Sequence, residues 1–135
     1  MVSSTSIRVR GMLRLPFDAS SVPLARSRVR EFLTEAGRSQ DCVDDARMVV
    51  SELVANAVRH ARPLPDGRLL VSWALEGGGL QVSVSDGGSP TRPRALETAT
   101  SSLSGRGMTI VEALSDTWWS EQADGRSTGH ALLPV

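Results

Sequence analysis

Apolar and polar residues alternate along residues 7–17, the first stretch of the chain with a clear pattern. A period of two places every second side chain on the same face of an extended chain. The pattern therefore predicts a half-exposed strand. One face would carry Ile7, Val9, Leu13, Leu15 and Phe17, and the other would carry Arg8, Arg10 and Arg14.

Two helical patterns follow this strand. Residues 18–37 have helical spacing, with Ser20 or Ser21 as the N-cap, Pro23 in the first turn and Gly37 as the stop. A second helix is predicted over residues 43–61. Asp41 would cap it, and the segment RPLPDG would end it, because a proline cannot continue a helix.

The rest of the chain predicts four strands, one short helix and one long loop. The strands are expected at 68–76, 80–85, 117–122 and 129–135, the helix at 106–116 and the loop at 87–105. The glycines at 77–79 favour a hairpin between the first two of these strands. The order β-α-α-β-β-α-β-β predicts an α+β fold, a two-layer sandwich with helices on one face of a mixed, mostly antiparallel sheet.

Composition narrows the possible functions. The chain has 135 residues, the length of one domain, and its formal net charge is zero. A neutral chain offers no bulk attraction for nucleic acid or for an anionic membrane. All fifteen basic residues are arginines, so a Walker-type phosphate loop, which requires lysine, is excluded. Cys42 is the single cysteine, and there is no signal-peptide core, so we expect a cytoplasmic protein.

Three polar residues interrupt the amphipathic pattern of the second predicted helix. Glu52, Asn56 and His60 recur every four residues and form one winding stripe beside the apolar face. Most polar helix faces simply contact water, and this stripe is open to that interpretation. An asparagine inside a helix costs some helix propensity, however, and this favours a functional role.

The segment LQVSVSDGG, residues 80–88, carries a carboxylate at an unusual position. Leu80, Val82 and Val84 share one face of the predicted strand, and Asp86 is in phase with them. A carboxylate aimed inward needs hydrogen-bond donors. The alternative is that Asp86 only begins a turn, since Asp-Gly is a common turn dipeptide.

Gly105 and Gly107 precede and open the short helix that is predicted at 106–116. The unpaired N–H groups of a helix N-terminus attract phosphate without a lysine. Glycines are also a common flexible lead into a helix. This motif alone therefore does not identify a phosphate site.

In this order, the three motifs resemble those of a known family. E-x-x-x-N-A-x-x-H, then D-x-G-x-P, then G-R-G-M-x-I-V is similar to the ATP-binding domain of histidine kinases, gyrase and the Hsp90 chaperone, the Bergerat or GHKL fold. Within that group the chain looks most like the stand-alone anti-sigma factor serine kinases of bacteria. The resemblance covers residues from about 10 to 135.

The resemblance implies a role for each matching residue. Asn56 would bind Mg²⁺ through its side-chain oxygen, and Glu52 would be the catalytic general base. Asp86 would accept a hydrogen bond from the exocyclic amine of adenine, with Gly88 as its companion glycine. The cofactors implied are ATP and Mg²⁺.

For the phosphates, the resemblance implies contacts from the backbone of Gly105 and Gly107, with Arg106 nearby. Thr128 would place a hydroxyl near adenine, although GRSTGHA departs from the family's usual G-[KT]-T pattern. Residues 89–104 would form a lid over ATP, and residues 1–6 a loose tail on a single domain covering 1–135.

The implied function is that of a protein serine kinase that phosphorylates an anti-sigma antagonist and binds a sigma factor. One alternative is an ATP-gated binding module with little or no phosphoryl transfer. Another is a detached histidine kinase catalytic domain, which the absence of any histidine before residue 60 disfavours. Neither nucleic acid nor a membrane is an expected partner, and a homodimer is left open.

Overall fold

The computed structural model describes residues 8–88 and 106–134, and within them the elements follow the predicted order. The strands are β1 (Arg8–Pro16), β2 (Arg68–Glu76), β3 (Gly79–Asp86), β4 (Thr117–Ala123) and β5 (Arg126–Pro134). The helices are α1 (Ser21–Glu35), α2 (Gln40–His60) and α3 (Arg106–Leu114).

All five strands form one sheet in the order β1-β2-β3-β5-β4, and every neighbouring pair is antiparallel. The predicted glycine turn joins β2 to β3, where Glu76 pairs with Gly79. The hairpin of β4 and β5 turns at Asp124 and Gly125, both with positive φ. Because β5 pairs with β3, the strands β1 and β4 are the two edges. The architecture is the expected α+β sandwich.

The hydrophobic core lies between one face of this sheet and the helices. Alternate residues of each strand point into it, as the period of two requires. The sheet contributes Leu15, Leu69, Val71, Trp73, Leu75, Leu80, Val82, Val84, Ala131 and Leu133. The helices contribute Ala25, Val29, Leu33, Val43, Ala46, Val49, Val50, Leu53, Val54, Ala57 and Val111. These helical residues recur at spacings of three and four, so each helix buries a single stripe.

The helix ends differ in detail from the prediction. Ser20 occupies the N-cap of α1 without a capping side-chain bond, and Asp18 accepts a hydrogen bond from the Ser20 N–H instead. Gly37 does end α1, with φ of +76°. The cap predicted for α2 at Asp41 is wrong. Ser39 is the N-cap, and its hydroxyl accepts a hydrogen bond from the Cys42 N–H.

The two adjacent tryptophans of β4 point to opposite faces of the sheet, as alternation requires. Trp118 packs against the core. Trp119 lies on the other face, where it stacks on His130 of β5. No helix within residues 8–88 and 106–134 is long and apolar enough to cross a membrane.

Candidate functional site

Helix α2 carries the polar stripe across the core face of the sheet. Glu52 and Asn56 are partly exposed, whereas His60, the last residue of the helix, is exposed. The helix passes over β5, since a Cβ added to Gly129 would lie 3.8 Å from Cδ2 of Leu53. The stripe therefore borders the buried face of α2, beside the end of the sheet where β3 finishes.

The carboxylate of Asp86 lies at that end of the sheet. Asp86 is the last residue of β3 and is only 9% exposed. It continues the inward face of Val82 and Val84, so the phase predicted from the sequence is confirmed. Its Oδ1 accepts a hydrogen bond from the Gly88 N–H at 2.7 Å. This short turn holds the carboxylate in one orientation, so Asp86 is buried and also begins a turn.

Two backbone hydrogen bonds tie the end of β3 to the segment that follows α2. Gly87 N–H donates to the Arg62 carbonyl at 2.7 Å, and Arg62 N–H donates to the Gly88 carbonyl at 3.0 Å. We call this pair of bonds the 62–88 junction. A Cβ on Gly87 would lie 2.1 Å from the Pro63 carbonyl oxygen, so only glycine fits there. The junction sets the position of Asp86 relative to α2.

Gly88 adopts a backbone conformation that few other residues tolerate. Its φ is +90°, and it lies beside the β4–β5 turn, since an added Cβ would be 3.5 Å from the Gly125 carbonyl oxygen. Gly88 therefore contributes only backbone atoms to this end of the site.

Helix α3 packs against α2 and begins at Arg106. Arg106 and Gly107 are its first two residues, so their N–H groups have no acceptor within the helix. This is the geometry that favours an anion. Gly105, together with the lid predicted at 89–104, lies outside the described residues.

Comparison with known proteins identifies the family of the chain. The profile of the histidine kinase-like ATPase domain matches residues 15–131, most of the chain. The chain belongs to that family.

Curated relatives of this ATPase domain include bacterial protein kinases. The chain is 28% identical over 116 residues to serine-protein kinase RsbW of Listeria monocytogenes, an alignment that covers 77% of this chain and 74% of the relative. It is 43% identical over 49 residues to serine-protein kinase RsbW of Staphylococcus epidermidis, covering 36% of this chain and 31% of the relative.

Solved structures share the fold of this ATPase domain. One holds the RsbU and RsbW domains of a Mycobacterium tuberculosis protein, with a TM-score of 0.72 and 24% identity. That match covers 93% of this chain but 32% of the other, so this chain spans about a third of its length. The SiaB–SiaC complex of Pseudomonas aeruginosa contains a chain with a TM-score of 0.73 and 13% identity, over 91% of this chain and 88% of that one.

The side chain of Thr128 lies on the opposite face of the sheet from that of Asp86. It pairs with Ser85 across β3 and β5, and the two hydroxyls are 2.9 Å apart. Ser85 and Asp86 are neighbours in one strand, so their side chains point to opposite faces, and the Thr128 hydroxyl lies on the face away from the helices. The register therefore separates the Thr128 hydroxyl from Asp86, and its role near adenine stays a prediction.

Ser127 is a further candidate that the sequence interpretation did not name. It is the cross-strand partner of Asp86, lies on the same face of the sheet and is partly exposed. Gly125-Arg126-Ser127 matches the family's G-[KT]-T pattern in spacing, with serine in place of threonine. That match, with the period-two phase of β5, was the available signal.

The residues described offer few alternatives for metal or thiol chemistry. No group of three or more His, Cys, Asp and Glu within 8–88 and 106–134 could hold a metal ion. Cys42 lies in the first turn of α2, at the end of the helix remote from His60. Partial burial raises the pKa of its thiol, so it remains protonated at neutral pH and is a poor nucleophile.

Proposed function

We propose that this chain binds Mg-ATP and acts as a protein serine kinase toward an anti-sigma antagonist, and that it also binds a sigma factor. The observation that carries the proposal is Asp86, a buried carboxylate oriented by the Gly88 N–H beside a helix that bears Glu52 and Asn56. Membership of the ATPase family and similarity to serine-protein kinases named RsbW support it.

Adenine recognition is assigned to Asp86 and its neighbours. The carboxylate, oriented by the Gly88 N–H, has the acceptor chemistry for the exocyclic amine of adenine. Ser127, on the paired strand, is the hydroxyl nearest to this carboxylate in register. The positive φ of Gly88 leaves room for a flat ring to approach the backbone.

Phosphate binding and proton transfer are assigned to the two helices. The side-chain oxygen of Asn56 suits Mg²⁺, a hard cation that prefers oxygen ligands. The N–H groups of Gly105 and Gly107 would hold the phosphates, with Arg106 beside them. ATP would supply the transferable phosphoryl group. As the Oγ of the substrate serine bonds to the γ-phosphorus and ADP leaves, Glu52 would accept the proton of the serine hydroxyl.

Calorimetric titration of ATP, with and without Mg²⁺, tests the nucleotide site. Asn56→Ala should remove the Mg²⁺-dependent part of the affinity. Asp86→Asn keeps an oxygen for Gly88 but can present a donor to the adenine amine, so affinity should fall by about a hundredfold. His60→Ala is the matched control on the same stripe, and its affinity should equal that of the wild type. Unchanged binding in Asp86→Asn would refute the adenine assignment.

Phosphoryl transfer needs a separate measurement. Glu52→Gln should bind Mg-ATP like the wild type but fail to label a serine of the antagonist protein from γ-labelled ATP, because an amide cannot accept the proton.

An ATP-gated binding module is the second candidate. The SiaB–SiaC structure supports it, since a protein of this fold is there bound to another chain. This second function would be supported if the wild-type protein bound Mg-ATP and a sigma factor but transferred no label from γ-labelled ATP to a serine.

A further inference from the structure

The segment that connects α2 to β2 lies against the end of β3 that carries Asp86. We call this segment, residues 61–67, the α2–β2 loop. Its sequence, ARPLPDG, predicts only the end of a helix and a turn. In the structure it joins the helix that bears Asn56 to the strand end that bears Asp86. The loop is therefore part of the frame of the candidate site.

Backbone packs directly on backbone where the α2–β2 loop meets the end of β3. At the 62–88 junction, Arg62 shares one hydrogen bond with Gly87 and another with Gly88. The Pro63 carbonyl is so close that a Cβ on Gly87 would lie 2.1 Å from its oxygen. Main-chain atoms cannot adjust by a change of rotamer. Any change in the path of the loop at Pro63 therefore moves the peptide that follows Asp86.

The α2–β2 loop is fixed on both sides of this contact. On its N-terminal side, the Ala61 N–H donates to the Ala57 carbonyl at 2.9 Å, so the loop starts directly from the last turn of α2. On its C-terminal side the loop closes a β-turn, since the Gly67 N–H donates to the Leu64 carbonyl at 2.7 Å. Pro65 is the second residue of that turn, a position that proline favours.

Contacts with β1 and β2 anchor this turn to the sheet. Leu64 is 7% exposed, and its N–H donates to the Arg68 carbonyl at 2.8 Å. The Asp66 carboxylate accepts hydrogen bonds from the Arg68 N–H at 3.0 Å and from Arg14 at 2.9 Å. The ion pair is exposed and contributes little, so the buried leucine and the backbone bonds provide most of the anchoring. Only Arg62 and Pro63 span the gap between the anchored turn and the end of α2.

We propose that Pro63 is a positioning residue that sets base discrimination at the nucleotide site, an inference that rests on the proposed function. The proline ring fixes the φ of Pro63 near about −65° and keeps Arg62, the residue before it, out of the helical region. Both residues of the span are thereby restricted by one side chain. Pro63 acts through the main chain of Gly87 and through the Gly88 N–H, which holds Oδ1 of Asp86.

The same span fixes the two ends of the proposed nucleotide site relative to each other. Asn56, the proposed Mg²⁺ ligand, lies in the last two turns of α2, and Arg62 follows that helix. Hydrogen-bonded backbone therefore runs without a break from Asn56 through the 62–88 junction to Asp86. N–H···O distances in proteins lie within about 2.7–3.2 Å, so a displacement of about 1 Å removes most of a hydrogen bond. A flexible residue at position 63 would thus weaken base recognition first.

Calorimetric titration of the full chain with two nucleotides tests the role of Pro63. The probes are ATP and inosine triphosphate, which lacks the exocyclic amine, both with Mg²⁺. The wild type should prefer ATP by about a hundredfold. In Pro63→Gly this preference should fall to about tenfold, because the Asp86 carboxylate is no longer held in line with the amine. The affinity for inosine triphosphate should hardly change, since the proposed Mg²⁺ and phosphate contacts do not involve Asp86.

Pro65→Gly is the matched control in the same loop. It gives the unfolded chain the same added freedom, but Pro65 is exposed, and none of the three atoms nearest to a Cβ on Gly87 belongs to it. Its preference for ATP should equal that of the wild type, and the milder variant Pro63→Ala should lie between wild type and Pro63→Gly. A variant that is only partly folded loses affinity for both nucleotides by the same factor, so the ratio of the two affinities measures positioning and not stability.

The outcomes separate this inference from the proposed function. If the wild type prefers ATP and Pro63→Gly keeps that preference in full, Pro63 does not position the carboxylate, and the nucleotide site stands. An equal loss in Pro65→Gly would likewise overturn the assignment to Pro63. If the wild type binds both nucleotides equally, or binds neither, the base assignment of the proposed function fails, and the role of Pro63 fails with it.

Discussion

Gly87→Ala should strongly destabilise the fold. Among the glycines of the described residues that lack a positive φ, only Gly11 has a similarly close obstacle to an added Cβ. The added Cβ would lie 2.1 Å from the Pro63 carbonyl oxygen, 3.0 Å from its carbonyl carbon and 3.1 Å from the Arg62 carbonyl oxygen. Real Cβ contacts are essentially never under 3.0 Å. The 62–88 junction must therefore open by about 1 Å, since the obstructing atoms are backbone and cannot rotate away.

The magnitude follows from what the junction contains. Its two hydrogen bonds, of 2.7 and 3.0 Å, contribute about 1 kcal/mol each. Overpacking against rigid atoms adds about 1–3 kcal/mol. We expect the free energy of unfolding to fall by about 3–5 kcal/mol. With a urea m-value of about 2 kcal/mol/M, the midpoint should fall by about 1.5–2.5 M.

Urea unfolding followed by circular dichroism measures this shift. Gly78→Ala is the control, because nothing lies within 4 Å of a Cβ added at Gly78. Its midpoint should be unchanged or slightly higher, as a methyl there only restricts the unfolded chain. If Gly87→Ala unfolded at the same urea concentration as Gly78→Ala, the 62–88 junction would not hold β3 in the way described.

Two further predictions concern the ATP site and the first helix. Ser127→Ala should weaken ATP binding about tenfold in calorimetry, whereas Thr128→Val should leave it unchanged, because the Thr128 hydroxyl bonds to Ser85 on the face of the sheet away from the helices. The reverse order of effects would support the original assignment of Thr128. The Ser20 hydrogen bonds lower the pKa of Asp18 from its ordinary value of 3.8. A lowered folded-state pKa stabilises the fold above the unfolded-state value, and the contribution is lost as the pH falls through the folded-state value. The urea midpoint of Asp18→Asn should thus lie below that of the wild type at neutral pH, and the gap should narrow as the pH drops below 3.8; a gap independent of pH would contradict this.

Much of the fold follows from local patterns in the sequence. The bounds of β2, Arg68–Glu76, coincide with the prediction because alternation and the glycine turn both mark them. The start of β5 was misplaced by three residues, at Gly129 instead of Arg126. Glycine, serine and threonine carry no apolar alternation there. Residues 126–128 are nevertheless part of the strand because they pair with β3 or β4, or with both.

The candidate site divides in the same way. The inward direction of Asp86 was predicted from its phase with Val82 and Val84 in the same strand, with a simple turn as the alternative, and the structure confirms that phase. The choice between Ser127 and Thr128 depends on which residue of β5 is opposite Asp86. That register comes from the sum of many contacts between strands about forty residues apart, and a slip of one residue reverses every side chain.

The sequence alone determined the types of the elements and the order of the motifs, and it indicated the inward phase of Asp86, because these features depend on residues that are near neighbours in the chain. Only the tertiary structure decided that Gly87 must be glycine and that Ser127, not Thr128, shares a face with Asp86. These features join residues that are distant in the chain. They depend on the packing of strands and helices against each other, which cannot be read from the pattern of neighbouring residues.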